Sequence, residues 1–425
     1  PRHHAGAHGQ LTRPGDTPMA LPAAPQPRPG SATPVTHVTL ADFRSYAAAI
    51  LEPSPGLTVI AAPNGTGKTN LLEAIHVTLT GRSHRAAVDA DLVRHGAPFA
   101  RVRVELGGGT EAGGSTVELV LPGERPPAGL RKRLTVNGVP RRSSSLADVA
   151  RAVLFRPEEM LLLVGSPSDR RRFLDTIVAQ RDRRAARDLA DAARVLAQRN
   201  ALLRAIRNEE APLDALGFWD EQLAQVGARV MRARLEVLGE LAGRIGPLPD
   251  AVAVPEERGA SVTLHYVDGL KEAWPERRAP ADGIPTDEEL AAAYRQRIAD
   301  VRQKEAWNGV SLVGPQRDDL RAELGGRDVA AHASRGQQRT IILALKLAET
   351  DLLGADGPRP VVLLDDVFSE LDPGRSERLA TLLGDRGQVI VTTADPAALA
   401  WVGDRAADAW RIEDGQLVRD GAGAR

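Results

Sequence analysis

From Val35 onward, apolar positions recur at the short period of β-strands. Val38, Leu40 and Phe43 alternate or nearly so, and Leu57-Thr-Val-Ile60 is a compact run rich in β-branched residues. A glycine-rich turn follows, after which Leu71, Leu72, Ile75 and Leu79 fall on one side of a helix expected over Lys68–Thr80. Further strands are expected near Ala100–Leu106, Thr116–Leu121 and Leu134–Val136, with Asn137-Gly138 as a two-residue hairpin turn.

From about Ser168 the period lengthens. Leu189, Ala193, Leu196, Leu203 and Ile206 form one helical stripe, with Asn200 in the same register. Trp219, Leu223, Val226, Val230, Leu238, Leu241 and Ile245 form a second. Asn208, Pro212 and Gly217 lie between them, so the pair reads as two antiparallel helices, each long enough for a short arm. Residues 247–285 are mixed, with a strand expected at Val262–Val267. Thr286-Asp-Glu-Glu289 is a capping box opening a helix to about Ala306. Strands return at Val361–Leu364 and Gln388–Thr392 with helices between, a largely parallel arrangement.

The expected organisation is α/β. An extension at 1–34 rich in Pro and Gly is expected to be disordered or a mis-started leader, and its His3, His4 and His8 do not have the spacing of a designed metal site. One half of a head follows at 35–167, with a β-rich lobe. A helical insertion occupies 168–285 and the second half of the head 286–425. No apolar run approaches the length of a membrane span. The absence of cysteine removes disulfides, thiolate metal sites and a cysteine nucleophile, and fits the cytoplasm.

The candidate chemistry begins at Ala62-Pro63-Asn64-Gly65-Thr66-Gly67-Lys68-Thr69-Asn70. A glycine turn between strand and helix lets successive backbone N–H groups curl around a phosphate, and the helix N-terminus adds about half a positive charge. Lys68 would reach the β- and γ-phosphates of ATP, and Thr69 would offer its hydroxyl to Mg2+. The opening position is Ala62 where a P-loop usually has glycine; alanine keeps the backbone donor, so a tolerated change is expected. Val361-Val-Leu-Leu-Asp365-Asp366 is an apolar strand ending in two acids, Asp365 for the metal and Asp366 to orient or deprotonate the attacking water. Ser334-Arg335-Gly336-Gln337 opens an apolar helix. In isolation such a serine is first an N-cap. In chain order with the other two motifs, it resembles the signature of ABC-type ATPases, with Ala333 for the usual leucine and Arg335 for the first glycine. Glu370-Leu-Asp372 resembles the D-loop of that family. Thr392-Thr393 stands where many relatives carry a switch histidine. The resemblance implies that the signature of one chain docks on the nucleotide of another, so that two ATP molecules join a head-to-tail homodimer.

Lys68 and Ser334 are 266 residues apart, far more than in a transporter subunit, and the helix pair in the gap looks like a shortened SMC-type arm. The stretch from Pro157-Glu-Glu-Met through Ser168-Asp-Arg-Arg-Arg-Phe-Leu-Asp175 is similar to the RecF family. So are Leu363-Leu-Asp-Asp-Val-Phe-Ser-Glu-Leu-Asp-Pro-Gly-Arg375, Gly314-Pro-Gln-Arg-Asp-Asp-Leu320 and Gly81-Arg-Ser-His-Arg85. The resemblance spans about residues 35–420. It implies a weakly hydrolysing, DNA-stimulated ATPase of recombinational repair that binds DNA at gaps or junctions and acts with RecR and RecO to load RecA. A transport ATPase subunit and a structural SMC-like tether with a vestigial ATPase are the competing readings.

Charge changes the picture locally. The chain carries −1 overall, yet Arg125 to Arg207 holds 19 Arg and Lys against 8 Asp and Glu. Such an excess could follow a phosphate backbone; it could equally be the water-facing side of two helices. Arg170, Arg171 and Arg172, with Arg183, Arg184 and Arg187 further on, are the candidate DNA contacts. Aromatic residues make up 3% of the chain, which disfavours base stacking and points to duplex backbone.

Overall fold

The computed structural model describes residues 33–86, 88–107, 113–246, 248–253, 259, 261–270, 283–384, 386–394, 406–413 and 415–420. The expected extension at 1–34 falls almost wholly outside the described residues.

Among the described residues the strands form three sheets. The first is antiparallel, in the order β2-β1-β4-β5-β6-β7, from Val35–Phe43 (β1), Tyr46–Leu51 (β2), Phe99–Leu106 (β4), Ser115–Pro122 (β5), Arg133–Val136 (β6) and Val139–Arg141 (β7). Its alternation buries Val38, Leu40, Phe43, Val102 and Val104 on one face. Asn137 and Gly138 both take positive φ, 52° and 75°, as a tight hairpin turn requires, and Asn137 Oδ1 accepts the Thr116 N–H at 2.7 Å.

The second sheet runs β15-β14-β3-β13-β12-β8, from Leu57–Ala61 (β3), Ala152–Phe155 (β8), Val361–Asp365 (β12), Val389–Thr393 (β13), Ala406–Glu413 (β14) and Gln416–Arg419 (β15). Every neighbouring pair is parallel except the β14–β15 hairpin. Its central strands are buried and mainly apolar because both faces are covered. Val361 and Leu363 join a core with helix Lys68–Thr80 (α1), while Val362 and Leu364 join another with helix Arg335–Ala355 (α8). Strand β8 has no counterpart in the sequence reading: four apolar residues between Arg151 and Arg156 are too short a run to show a period.

The helical region comprises Pro167–Arg181 (α2), Arg183–Arg207 (α3), Gly217–Ile245 (α4), Leu248–Val252 (α5) and Asp287–Asn308 (α6). Helices Val329–His332 (α7) and Pro373–Gly384 (α9) lie further along the chain. A small antiparallel sheet joins Val262–Val267 (β9), Asp319–Leu324 (β10) and Arg327–Asp328 (β11). Helices α3 and α4 are antiparallel: Arg199 pairs with Asp220, and Asp188, about three turns earlier on α3, pairs with Arg229 further along α4. They are not a free arm. Helix α4 is buried along much of its length against α6 and α8, and its apolar residues are continuous with the core beneath β12. The expected division at 285 therefore cuts through packed structure, because α6 lies along α4 and β9 pairs with β10. On α3 the buried register is Ala185, Leu189, Ala192, Val195, Arg199 and Leu203; the expected Ala193 is exposed and Leu196 only half-buried. Helices on two sides shift the inward face from the one periodicity alone selects.

A buried arginine explains that register. Arg199, 0% exposed, donates to Asp220 (2.8 and 2.9 Å), Ser311 Oγ (2.7 Å) and Glu305 Oε2 (2.6 Å). Glu305 Oε1 in turn accepts the Leu312 and Val313 N–H groups, and Asn200 Oδ1 accepts from Ser311. One charge thus ties α3, α4, α6 and the segment after α6. The capping box of α6 is present as expected, Thr286 Oγ1 accepting the Glu289 N–H.

Candidate nucleotide-binding site

Parallel strands bring the two halves of the site together. Strand β13 lies between β3 and β12, with Thr393 opposite Ala61 and Thr392 opposite Asp365. The loop after β3 and the acids ending β12 therefore emerge at the same edge of the sheet, where ligands of open α/β folds sit. The Ala62 N–H donates to the Thr393 carbonyl at 3.1 Å, and the Ala62 methyl is buried in the core shared with α1. The extra carbon is accommodated without loss of a backbone donor.

Two glycines shape the loop. Gly65 and Gly67 have φ of 83° and 105°, left-handed conformations that a side chain strains. At Gly67 a Cβ would also stand 2.8 Å from Ser45 Oγ and 3.0 Å from the Tyr46 hydroxyl. Tyr46 donates to the Gly67 carbonyl at 3.0 Å, and burial raises its pKa. Asn70 donates to Ser45 Oγ, and Arg85 donates to Asn70 Oδ1. Ser45, Tyr46 and Arg85 carry no motif of their own; only the fold identifies them as supports of the loop.

Lys68 is 6% exposed, its ammonium donating to the Ala62 carbonyl (2.6 Å), the Pro63 carbonyl (3.0 Å) and Asn64 Oδ1 (3.3 Å). Burial lowers its pKa, and the carboxylates of Asp366 and then Asp365 pull it back up. The two acids expected to share a site with Lys68 are thus near enough to act on its charge. Thr66 folds its hydroxyl onto the Pro63 carbonyl, and Thr69 opens α1 half-buried.

Asp365 is 5% exposed and accepts the Thr392 hydroxyl on Oδ1 at 2.8 Å. The carboxylate of this largely buried residue at the end of β12, with the Thr69 hydroxyl at the start of α1, supplies the hard oxygen donors that Mg2+ takes. Asp366 sits in left-handed backbone, φ 51°, a conformation that aspartate tolerates better than most residues. It accepts the Ala394 N–H at 3.2 Å. Thr392 and Thr393 are fully buried. At this switch-histidine position the Thr392 hydroxyl donates to Asp365, and the Thr393 carbonyl accepts the Ala62 N–H.

Ser334 caps α8 in a complete capping box, its hydroxyl accepting the Gln337 N–H (3.1 Å) and Gln337 Oε1 accepting the Ser334 N–H (2.9 Å). Gln337 is therefore engaged within its own helix, while Ser334 and Arg335 remain exposed, with Gly336 half-exposed beside them. Arg339, one turn on, pairs with Glu370 at 2.9 Å. Asp372 caps α9 through the Arg375 N–H (3.0 Å) and guanidinium (2.6 Å). Burial would raise its pKa, but these two partners hold it below the ordinary value.

The candidate DNA arginines separate into two groups. Arg170 is withdrawn from the set. It is 8% exposed, forms a two-pronged pair with Asp319 (2.7 and 2.8 Å) and donates to the Gly165 carbonyl; the Asp319 bonds raise its pKa against desolvation. Arg171 donates to the Asp318 carbonyl at 2.8 Å. These residues join the 157–175 and 314–320 stretches to each other, which is a physical reason for both motifs. Arg172 and Arg183 are exposed beside Asp169 (3.4 Å) and Asp148 (3.7 Å). Arg184 and Arg187 are exposed with no acidic partner among the described residues. The Glu159 of the first motif reaches buried Lys346 of α8 at 3.4 Å, another packing role that periodicity does not reveal. Among the described residues, no helix is long and apolar enough to cross a membrane.

The model of the RecF/RecN/SMC N-terminal domain matches residues 34–405. The chain is 40% identical over 371 residues to the DNA replication and repair protein RecF of Streptomyces avermitilis, covering 85% of this chain and 93% of that protein. It is also 40% identical over 376 residues to the protein of the same name from Kineococcus radiotolerans, with the same coverage. Among solved structures, a recombination mediator protein RecF with ATPrS, described in the RecFOR pathway, superposes with a TM-score of 0.80 at 26% identity, covering 93% of this chain and 100% of that one. An ATP complex of RecF gives 0.77 at 27% identity, covering 92% and 99%. An Smc head bound to the C-winged helix domain of ScpA shares the fold, with a TM-score of 0.51 at 18% identity. A family match over most of the chain and 40% identity to proteins of one name, on a head whose loop and paired aspartates meet at one strand edge, show that the chain belongs to the RecF family of DNA replication and repair proteins.

Proposed function

We propose that the protein is a weak, DNA-stimulated ATPase of the bacterial cytoplasm that acts in recombinational repair as an ATP-joined homodimer on duplex DNA at gaps or junctions. The observation that carries this reading is the convergence of Lys68, Asp365 and Asp366 at one strand edge, together with an exposed Ser334 at the start of a helix. The loop N–H groups and the start of α1 would hold the phosphates. Lys68 would exchange its three loop acceptors for phosphate oxygens, a trade of like hydrogen bonds that keeps a buried cation paired. Thr69 and Asp365 would hold Mg2+, which supplies charge neutralisation at the phosphates when bound. Asp366 would accept a hydrogen bond from the attacking water and orient it. Ser334, Arg335 and Gly336 would meet the γ-phosphate held by a second copy, with Asp372 at the same junction; the signature and P-loop are then one site built from two chains.

RecR as direct partner and RecO downstream are supported by the RecFOR pathway in which the neighbouring RecF structures are described, and RecA downstream by the family resemblance. The test is ATP turnover with and without gapped duplex, combined with light scattering. DNA-stimulated turnover and an ATP-dependent dimer are expected, and Ser334→Arg should bind ATP yet remain monomeric. Turnover indifferent to DNA would favour a transport subunit, whereas no turnover at all would favour a structural tether. A Ser334→Arg protein that dimerises normally would refute the shared site.

A further inference from the structure

A cavity of about 460 Å3 opens where the end of α1 and the 142–147 segment of the first lobe face α3. It lies at the opposite end of α1 from Lys68. Thirteen residues of helix separate the two, roughly 18 Å at 1.5 Å per residue. Arg82, Arg142, Arg187 and Arg194 line it. The first three are exposed and have no acidic partner among the described residues; Arg194 shares its charge with Asp191 at 2.9 Å, the one acid on the wall.

Two residues of the wall also carry buried donors. Gln180, 4% exposed, accepts the Ala152 N–H on Oε1 at 2.7 Å, and its Nε2 donor is without a partner among the described residues. The Ser144 hydroxyl, on a residue 9% exposed, is unpartnered as well. Leaving buried donors unmatched costs stability unless a ligand or water supplies acceptors. Four guanidinium groups and two spare donors around one opening call for an anion rich in acceptor oxygens.

We infer that this cavity is a phosphate site for the backbone of a nucleic-acid strand, and that it, not the 170–172 cluster, anchors DNA. This rests on the proposed DNA-binding function. Two features select a strand over a free nucleotide. No aromatic residue lines the cavity, so a base has nothing to stack on. Arg187 and Arg194 are two turns apart along α3, about 10 Å, a linear spacing that suits a chain of phosphates more than one compact triphosphate.

The test uses the full chain with Arg142→Glu and Arg187→Glu together, and separately with Arg170→Lys. Fluorescence anisotropy of a labelled duplex, over a range of salt, reads the affinity, while a fluorescent ATP analogue in the same samples confirms a folded head. The double variant is expected to lose at least about tenfold in DNA affinity and to show a log–log salt slope shallower by about 2, one per phosphate contact removed. Arg170→Lys is expected to bind DNA as the parent does. Equal affinity and slope in the double variant would overturn the site. So would titration calorimetry in which inorganic pyrophosphate binds the parent and not the double variant while DNA binding is unchanged, since the site would then belong to a free phosphate compound. A parent chain that ignores DNA would overturn both this site and the repair function.

Discussion

The strand-edge loop and the basic helical region offer opposite lessons about chemistry written in sequence. At the loop, function is carried by backbone: N–H groups set by two left-handed glycines, a helix start and two acids at the end of a buried strand. Such features keep their meaning wherever the segment goes. In the helical region function was read from side-chain charge, and charge is redistributed by folding. Arg151 and Arg181 meet Asp356, Arg170 meets Asp319, and Arg199 meets Asp220 and Glu305. All four of these acids come from outside the basic stretch, so its excess of positive charge is partly cancelled in space. The arginines left exposed and unpaired, Arg184 and Arg187 among the expected ones, are those the tertiary structure failed to recruit.

The comparison breaks most visibly at Lys68. Lys68→Ala removes the cation that backbone geometry delivers to the phosphates, and a loss of ATP affinity of at least about a hundredfold is expected, read by equilibrium titration of a fluorescent analogue. ATP bound with unchanged affinity would mean that the loop is only a turn. The next effect belongs to the buried arginine. Arg199→Met leaves Glu305 and Asp220 without their cation and is expected to cost about 3–5 kcal/mol in urea unfolding. An equally stable variant would show that the charge can be replaced by packing, and that α3's register has another cause.

A smaller effect sharpens the contrast between paired and unpaired buried groups. His76, on α1, is 6% exposed, and burial, then the nearby charges of Lys346 and Arg156, push its pKa from 6.5 down to about 3. The folded chain keeps it neutral while the unfolded chain takes up a proton below 6.5. Its stabilising contribution is therefore complete above that value and is lost as pH falls toward 3. Between pH 7 and pH 5 the loss is about 2 kcal/mol. His76→Gln should flatten the decline in urea midpoint over that interval; an identical decline in the variant would place the titrating group elsewhere.

Much of the architecture was legible because periodicity and turn chemistry are local. The α1 helix, the Asn137-Gly138 hairpin, the Thr286 capping box and the α4 stripe all lie where their own residues place them. The α3 register, the attachment of α6 to the helical region and strand β8 were not legible, since each depends on a neighbour distant in the chain. The same division runs through the site. Lys68, Asp365 and Asp366 were readable from motifs, whereas Tyr46 and Ser45, which brace the loop against Gly67, have no pattern to announce them.

By itself the sequence determined which backbone segments can cradle a phosphate, which strand ends in paired acids, and in what order they come, because hydrogen-bonding geometry and burial on both faces leave a direct mark on neighbouring residues. Only the tertiary structure decided which charges are free. An arginine's partner can lie 149 residues away, as Asp319 does from Arg170, and an ion pair is a property of distance in space that no local pattern encodes.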